Sequence, residues 1–301
     1  MENKEFKSGY IAIVGAPNAG KSTLLNQVLG QKISITAPKP QTTRNRIAGI
    51  LSRDDCQIIF VDTPGICKAR DEFNRGLVET ALSTLSESDV VLFMIEPNAE
   101  RSENEFILEN LRRISTPVIL LINKVDTLGN KGLLLPLMET WQKRFDFRAI
   151  IPISALKADG TEDILAEVVK LLPAGPQYYP EDYVTDQPER FFVAELIREK
   201  IFHLVSQEIP YSVAVVVETF SEMPEKELIE IEAAINVERD SQKGIIIGKG
   251  GRTLKEIGQQ ARMEIETFLG CHIYLGLFVR VQKNWRKDPR ALREFGYPIN
   301  E

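Results

Sequence analysis

Gly15-Ala16-Pro17-Asn18-Ala19-Gly20-Lys21-Ser22-Thr23 decides the fold. The apolar run Tyr10-Ile11-Ala12-Ile13-Val14 before it reads as a buried strand. After it, Leu24, Leu25, Val28 and Leu29 recur at helical spacing. Strand, glycine-bounded loop and helix stand in the order that a phosphate-binding loop requires. Tight turns at Gly15 and Gly20 let successive N–H groups converge on a polyphosphate, and the positive end of the next helix adds its field. The residues expected to line that cradle are Gly15, Asn18, Ala19, Gly20, Lys21, Ser22 and Thr23. Lys21 is placed to bridge the β- and γ-phosphates, and the Ser22 hydroxyl to hold magnesium.

Working outward, Lys32–Gly49 is polar and rich in Thr, Pro and Arg, with Pro38-Lys39-Pro40-Gln41-Thr42-Thr43-Arg44 inside it, and reads as a long flexible connection with a functional role. A threonine here suits a switch that closes over a γ-phosphate, its hydroxyl on magnesium. Thr43 is the favoured candidate, although spacing does not separate it from Thr42. Gln57-Ile58-Ile59-Phe60-Val61 is a second buried strand, and Asp62-Thr63-Pro64-Gly65 follows it. Asp62 at the end of that strand is a Walker B carboxylate, expected to hold magnesium through water, and the Gly65 N–H is aimed at the γ-phosphate. Lys21, Thr43 and Gly65 are therefore the catalytic candidates, and Ser22, Thr43 and Asp62 the magnesium candidates.

Val90–Ile95, Val118–Ile122 and Ala149–Ile153 are further buried strands, with helical spacing over Glu103–Ile114 between the first two. Asn123-Lys124-Val125-Asp126 ends one of them and Ser154-Ala155-Leu156 ends the last. The Asp126 carboxylate can accept two N–H groups from the Watson–Crick edge of guanine, where adenine presents an acceptor instead. Asn123 is expected to brace the loop, the Lys124 stem to cover the base and the Ala155 N–H to meet the guanine carbonyl. Asp159–Leu172 reads as a closing helix capped by Thr161. Each of these segments follows a strand, at the edge where open α/β sheets bind ligands.

The chain has 301 residues, enough for two domains, with 43% hydrophobic and 27% charged residues. No apolar stretch approaches a membrane span and Met1–Ser8 is polar, so a cytoplasmic protein is expected. Cys56, Cys67 and Cys271 are scattered and odd in number, which argues against a disulfide framework. The net charge of −6 hides a polarised second half. Residues 239–293 carry 12 Lys/Arg against 5 Asp/Glu, while residues 218–238 carry 7 Glu against 1 Lys. The basic portion suits a nucleic-acid partner.

Pro173, Pro176, Pro180 and Pro188 mark a joint, with Tyr178-Tyr179 inside it. The expected domains are residues 1–173, a linker over 174–190, and residues 191–301. Beyond the joint the pattern predicts a helix over Pro188–Val205, paired strands over Tyr211–Phe220 and Leu228–Val237, two helices around Gly248, and a strand over Cys271–Val281. That order is similar to a type II KH domain, whose Gly-x-x-Gly turn lets a single-stranded RNA backbone lie against the protein. Gly248, Lys249, Gly250, Gly251, Arg252 and Lys255 are the RNA-contacting candidates. Ile245, Ile246, Ile247, Leu254 and Ile257 are expected to form an apolar floor under the bases, and Trp285 is assigned no role.

Gly-x-Pro-Asn-x-Gly-Lys-Ser-Thr, Gln-Thr-Thr-Arg, Asp-Thr-Pro-Gly and Asn-Lys-Val-Asp, followed by the KH pattern, together resemble the Era family of bacterial GTPases. The resemblance implies an α/β P-loop GTPase domain, with an open, mostly parallel sheet and helices on both faces, followed by an α+β type II KH domain. It implies GTP/GDP and Mg²⁺ as ligands and a monomer acting in assembly or maturation of the small ribosomal subunit. It further implies binding to small-subunit ribosomal RNA near its 3′ end and peripheral association with the inner membrane. Ile66 stands where Ras-type enzymes carry a water-orienting glutamine, and Asn18 resembles the asparagine with which related enzymes hold K⁺. Slow hydrolysis, raised by potassium or a partner, follows. The rival class is a constitutive RNA-binding protein with a structural nucleotide domain, and an ATP-using enzyme is disfavoured by Asp126.

Overall fold

A computed structural model of the chain describes residues 5–39, 42–66, 72–98, 102–205 and 209–297. Contacts divide the chain into two compact units, one of Met1–Ser34 with Thr43–Asp186, the other of Ile35–Thr42 with Gln187–Glu301. The first unit runs β1 (Lys7–Gly15), α1 (Lys21–Leu29), β2 (Ile47–Arg53), β3 (Cys56–Asp62), α2 (Glu72–Glu87), β4 (Val90–Ile95), α3 (Ser102–Leu111), β5 (Val118–Ile122), α4 (Leu134–Gln142), β6 (Ala149–Pro152) and α5 (Thr161–Leu171). Its sheet has the order β2-β3-β1-β4-β5-β6. All pairings are parallel except β2 against β3. Strands β3, β4 and β5 are buried along their whole length, as near-continuous apolar runs must be when helices cover both faces. On one face Val14, Phe93, Ile95 and Leu120 pack against Leu85 of α2, Leu108 of α3 and Trp141 of α4. Because β1 lies between β3 and β4, the loops after β1 and β3 leave the sheet where strand order reverses, and a crevice opens there.

Strand β2 escapes the sequence reading because its first residues fall inside the polar stretch read as a connection and its last ones are Ser52 and Arg53. Helix α5 also differs. Gly160 at φ 82° is its N-cap, and the Thr161 hydroxyl donates to the Ala158 carbonyl at 3.0 Å instead of capping a free N–H.

Residues 174–186 lie within this first unit, along the exposed edge of β2. The Gln57 side chain accepts from the N–H groups of Tyr178 and Tyr179 at 2.8 and 2.9 Å and donates to the Tyr179 carbonyl at 2.8 Å. Further along, Ile50 donates to the Val184 carbonyl at 2.7 Å, and the Thr185 hydroxyl to that of Ala48 at 2.7 Å. The proline-rich chain thus covers an edge strand that would otherwise be open to pairing.

The second unit runs α6 (Glu189–Leu204), β7 (Ala214–Met223), β8 (Leu228–Val237), α7 (Asp240–Ile247), α8 (Arg252–Leu269), β9 (His272–Val281) and α9 (Pro289–Glu294). Its sheet has the order β7-β8-β9, with β8 antiparallel to β7 and parallel to β9. Ile257, Ala261 and Ile265 recur every four residues on α8 and bury one face of it against Ile197 and Ile201 of α6 and Ile231, Ala233 and Ile235 of β8. Trp285 is fully buried, its N–H donating to the Ser212 carbonyl at 3.1 Å and its ring stacked on Tyr297. It is a packing residue.

Residues 35–42 belong to this second unit. There the Glu199 carboxylate accepts the Thr36 N–H at 2.9 Å, and the buried Arg198 donates to the Thr42 carbonyl. The Lys39 ammonium meets the Phe202 and Val205 carbonyls at the C-terminal end of α6, where a cation is favoured. Gln41, expected to take part in switch closure, lies outside the described residues.

Candidate functional site

Helix α1 begins at Lys21 with no side-chain cap, so its first N–H groups are left for an anion. Gly20 before it has φ 105°, and a Cβ there would lie 2.1 Å from Asn123 Nδ2. No other residue fits that position. Lys21 is almost wholly buried, its ammonium folded over the loop to donate to the Gly15 and Ala16 carbonyls, each at 3.2 Å. Asn18 is exposed at the loop's tip with φ 64°.

Beside the loop, Asp62 is fully buried and one of its oxygens, Oδ2, collects three hydroxyls. Ser22 donates at 2.7 Å, Ser34 at 2.9 Å and Thr43 at 3.3 Å, and the Ser22 and Thr43 hydroxyls are 2.9 Å apart. The other oxygen, Oδ1, is buried without a hydrogen-bond partner. Burial pushes the Asp62 carboxyl up from its ordinary range, while the Lys21 charge and the three hydroxyls pull it down. An orphaned buried carboxylate oxygen is costly, and a hard dication that prefers oxygen ligands relieves it. Among the described residues no cluster of three His, Cys, Asp or Glu side chains forms. One carboxylate and two hydroxyls are the donor set of a magnesium ion that takes its remaining ligands from phosphate and water. The residues therefore fit Mg²⁺, and Thr43, not Thr42, has its hydroxyl in place. Sequence reasoning missed Ser34. A lone serine between Ile33 and Ile35 gives no signal.

After Asp62, Gly65 is half-buried at the loop's flank. The Ile66 N–H donates to the Gly15 carbonyl at 3.2 Å, and its side chain is fully buried in the core with Val14 and Phe93. No polar group from this position reaches the crevice.

Across the loop, Asn123 joins two segments far apart in sequence. Its Nδ2 donates to the Ala19 carbonyl at 2.7 Å, and its Oδ1 accepts the Ala155 N–H at 2.9 Å. That N–H, expected to face a guanine carbonyl, is engaged by Asn123 in this structure. Lys124, at φ 64°, is ion-paired with Glu96. The Ser154 hydroxyl donates to Asp126 Oδ1 at 2.7 Å, so Ser154 orients the carboxylate. This hydrogen bond, above all, holds the Asp126 carboxyl below the usual range. Recognition of two N–H groups needs the ionised form, which is lost as pH falls through that depressed value. Ser154→Ala removes the chief cause, so GDP affinity should begin to fall at a higher pH than in the wild type. Titrations between neutral and acid pH check this, and coincident profiles would remove Ser154 from the account.

In the second unit, Gly248-Lys249-Gly250-Gly251 joins α7 to α8. Gly248 has φ 71°, and a Cβ there would lie 2.2 Å from Thr253 Oγ1. The turn therefore passes close to the start of α8 with Lys249, Arg252 and Lys255 exposed along it. The expected apolar floor is corrected. Ile246 and Ile257 are fully buried core residues, Ile247 and Leu254 are partly buried, and only Ile245, 46% exposed, is a surface side chain.

Comparison with known proteins follows the same division. A family model described as 50S ribosome-binding GTPase matches residues 10–124, and one described as KH domain matches residues 208–286. GTPase Era of Geotalea uraniireducens (strain Rf4) is 53% identical over 298 residues, covering 99% of this chain and 100% of the relative. GTPase Era of Lactobacillus helveticus (strain DPC 4571) is 50% identical over 301 residues, covering 100% and 99%. Two solved structures each cover 98% of this chain and 100% of their own at 42% identity. They are a variant of Aquifex aeolicus Era bound to GDP and AlF4⁻, with a TM-score of 0.94, and Era with MgGDPNP and nucleotides 1506-1542 of 16S ribosomal RNA, with a TM-score of 0.95. Since relatives at 50% identity or more run the full length of both units, the chain belongs to the Era family of GTPases.

Proposed function

We propose that this protein is a GTP-hydrolysing switch that grips small-subunit ribosomal RNA near its 3′ end and acts in assembly of that subunit. The observation that carries the nucleotide reading is the Asn123 bridge. It ties the phosphate loop at Ala19 to the base loop at Ala155, so both loops serve one nucleotide. Magnesium would be held by Ser22, Thr43 and Asp62, and would neutralise charge on the β- and γ-phosphates. Lys21 would add its charge between those phosphates. Gly65 would offer its N–H to the γ-phosphate. Residues 1–173 carry the nucleotide and residues 191–301 the RNA.

The RNA reading is supported by the full-length likeness to the Era structure solved with 16S ribosomal RNA. The description of the first family model names the 50S subunit, yet that match stops at residue 124. The likeness that spans both units is the better guide to the partner. Ile66 supplies no group to orient water, so hydrolysis is intrinsically slow and is raised by K⁺ held at Asn18 or by bound RNA. Among the described residues no helix is long and apolar enough to cross a membrane. The protein works as a monomer in the cytoplasm, and its inner-membrane association is peripheral.

RNA affinity of the full chain, measured against salt in GDP and in a non-hydrolysable GTP analogue, tests this reading. Affinity should differ between the two nucleotides. Lys249→Ala and Arg252→Ala should each flatten the log–log salt slope by about 0.7, the value for one single-strand phosphate contact. Equal affinities in both nucleotides would instead establish a constitutive RNA binder, and unchanged slopes would move the RNA off this loop.

A further inference from the structure

Of the three hydroxyls on Asp62 Oδ2, two belong to residues with metal duties. Ser22 and Thr43 are each placed to be ligands. Ser34 is not, yet its hydroxyl is buried and donates at 2.9 Å, closer than Thr43 does. Its backbone is fixed independently of any nucleotide. Asn26 lies one turn beyond Ser22 on α1 and makes three hydrogen bonds to this stretch. Its Oδ1 accepts the Ile33 and Ser34 N–H groups at 3.0 and 2.9 Å, and its Nδ2 donates to the Ser34 carbonyl at 2.7 Å. A residue clamped through both of its own backbone polar groups has little freedom to turn its hydroxyl elsewhere.

We propose that Ser34, clamped by Asn26, is a positioning residue that fixes the Asp62 carboxylate so that its unpartnered oxygen, Oδ1, is presented to magnesium. The proposal deepens the nucleotide reading above and rests on it. A carboxylate on a strand end can rotate about its terminal bond; since its two oxygens are equivalent, a half-turn changes nothing, but a part-way turn would carry the free oxygen out of line with the metal. Thr43 cannot provide the lock, since it belongs to the segment expected to move with the γ-phosphate. Ser34 stays put because α1 holds it. Thus Asp62 is aimed before the metal arrives, and the aim survives opening of the switch.

Release of a fluorescent GDP analogue, followed over a range of magnesium concentrations and in EDTA, provides the test. In the wild type, magnesium should slow release. In Ser34→Ala, the magnesium concentration needed for half of that slowing should rise roughly 10–100-fold, the usual cost of losing an outer partner of a metal ligand. Release in EDTA should be unchanged, whereas general damage to the site would speed it. Ser34→Thr keeps the hydroxyl and should restore most of the magnesium response. If Ser34→Ala does not fold, Asn26→Ala serves, with the same direction and a smaller shift. An unchanged magnesium midpoint, or equally faster release in EDTA, overturns the role of Ser34. A wild type whose release is indifferent to magnesium would likewise overturn it, whereas failure of the wild type to bind the GDP analogue at all would overturn the nucleotide reading itself.

Discussion

Asp126→Asn should weaken GDP and GTP binding by roughly 10⁴–10⁵-fold and bring xanthosine nucleotides into the useful range. Guanine presents two N–H donors to this position, and a carboxylate accepts both. The structure also decides which way the amide of the variant turns. Ser154 donates to Oδ1 at 2.7 Å and will go on doing so to an amide oxygen. The new NH₂ is therefore forced toward the base, where it faces a donor of guanine. One hydrogen bond is lost and one buried donor is left unpaired. Xanthine carries an oxygen in place of the exocyclic amine, and that oxygen accepts from the new NH₂. Competition between guanine and xanthine nucleotides, read by calorimetry, checks the inversion. Unaltered GDP affinity would dismiss Asp126 as the base-reading group.

Replacing sodium by potassium should raise GTP turnover on the order of 10²-fold, and Asn18→Ala should erase the difference between the two salts. The argument begins with Ile66. Its side chain is sealed in the core beside Val14 and its N–H is committed to the Gly15 carbonyl. The chain thus has no side chain at this position with which to settle charge or water at the γ-phosphate. A monovalent cation beside the phosphates would add positive charge where it develops in the transition state, and a well-placed electrostatic group is worth about 10²–10³ in rate. Asn18, exposed at the tip of the phosphate loop with its backbone at φ 64°, is the residue type that would meet such an ion through an amide oxygen. Steady-state rates at matched ionic strength decide the matter. Equal rates in the two salts would leave bound RNA as the activator.

The parts of the molecule legible in the sequence are those where chemistry dictates residue types at fixed spacing. Lys21 and Ser22 after a glycine loop, Asp62 at a strand end, and Asn123 with Asp126 at another could be assigned because a nucleotide constrains each of them. The buried strands were equally plain, since β3, β4 and β5 are unbroken apolar runs. What escaped was set by contacts between distant residues. Ser34 acquires its place from Asn26 and Asp62, neither of which marks it in the sequence. The Ala155 N–H meets Asn123 because two loops converge in space. In the second unit Ile246 and Ile257 sit among apolar residues that also mark a surface floor, and only burial separates the two. The sorting of residues 35–42 with the second unit is likewise a matter of packing, which no local pattern announces.

The strip of chain that Gln57 holds beside β2 makes the β2–β3 hairpin a support shared by two parts of the chain. Four residues before β2 stands Thr43, and the last residue of β3 is Asp62, so both ends of the hairpin reach the magnesium position. Along its flank the hairpin carries the departing polypeptide up to Asp186 through Gln57, Ala48 and Ile50. On its other side β3 is paired with β1 along its whole length, from Cys56 beside Lys7 to Asp62 beside Ile13, so the strip and the magnesium carboxylate rest on one continuous sheet.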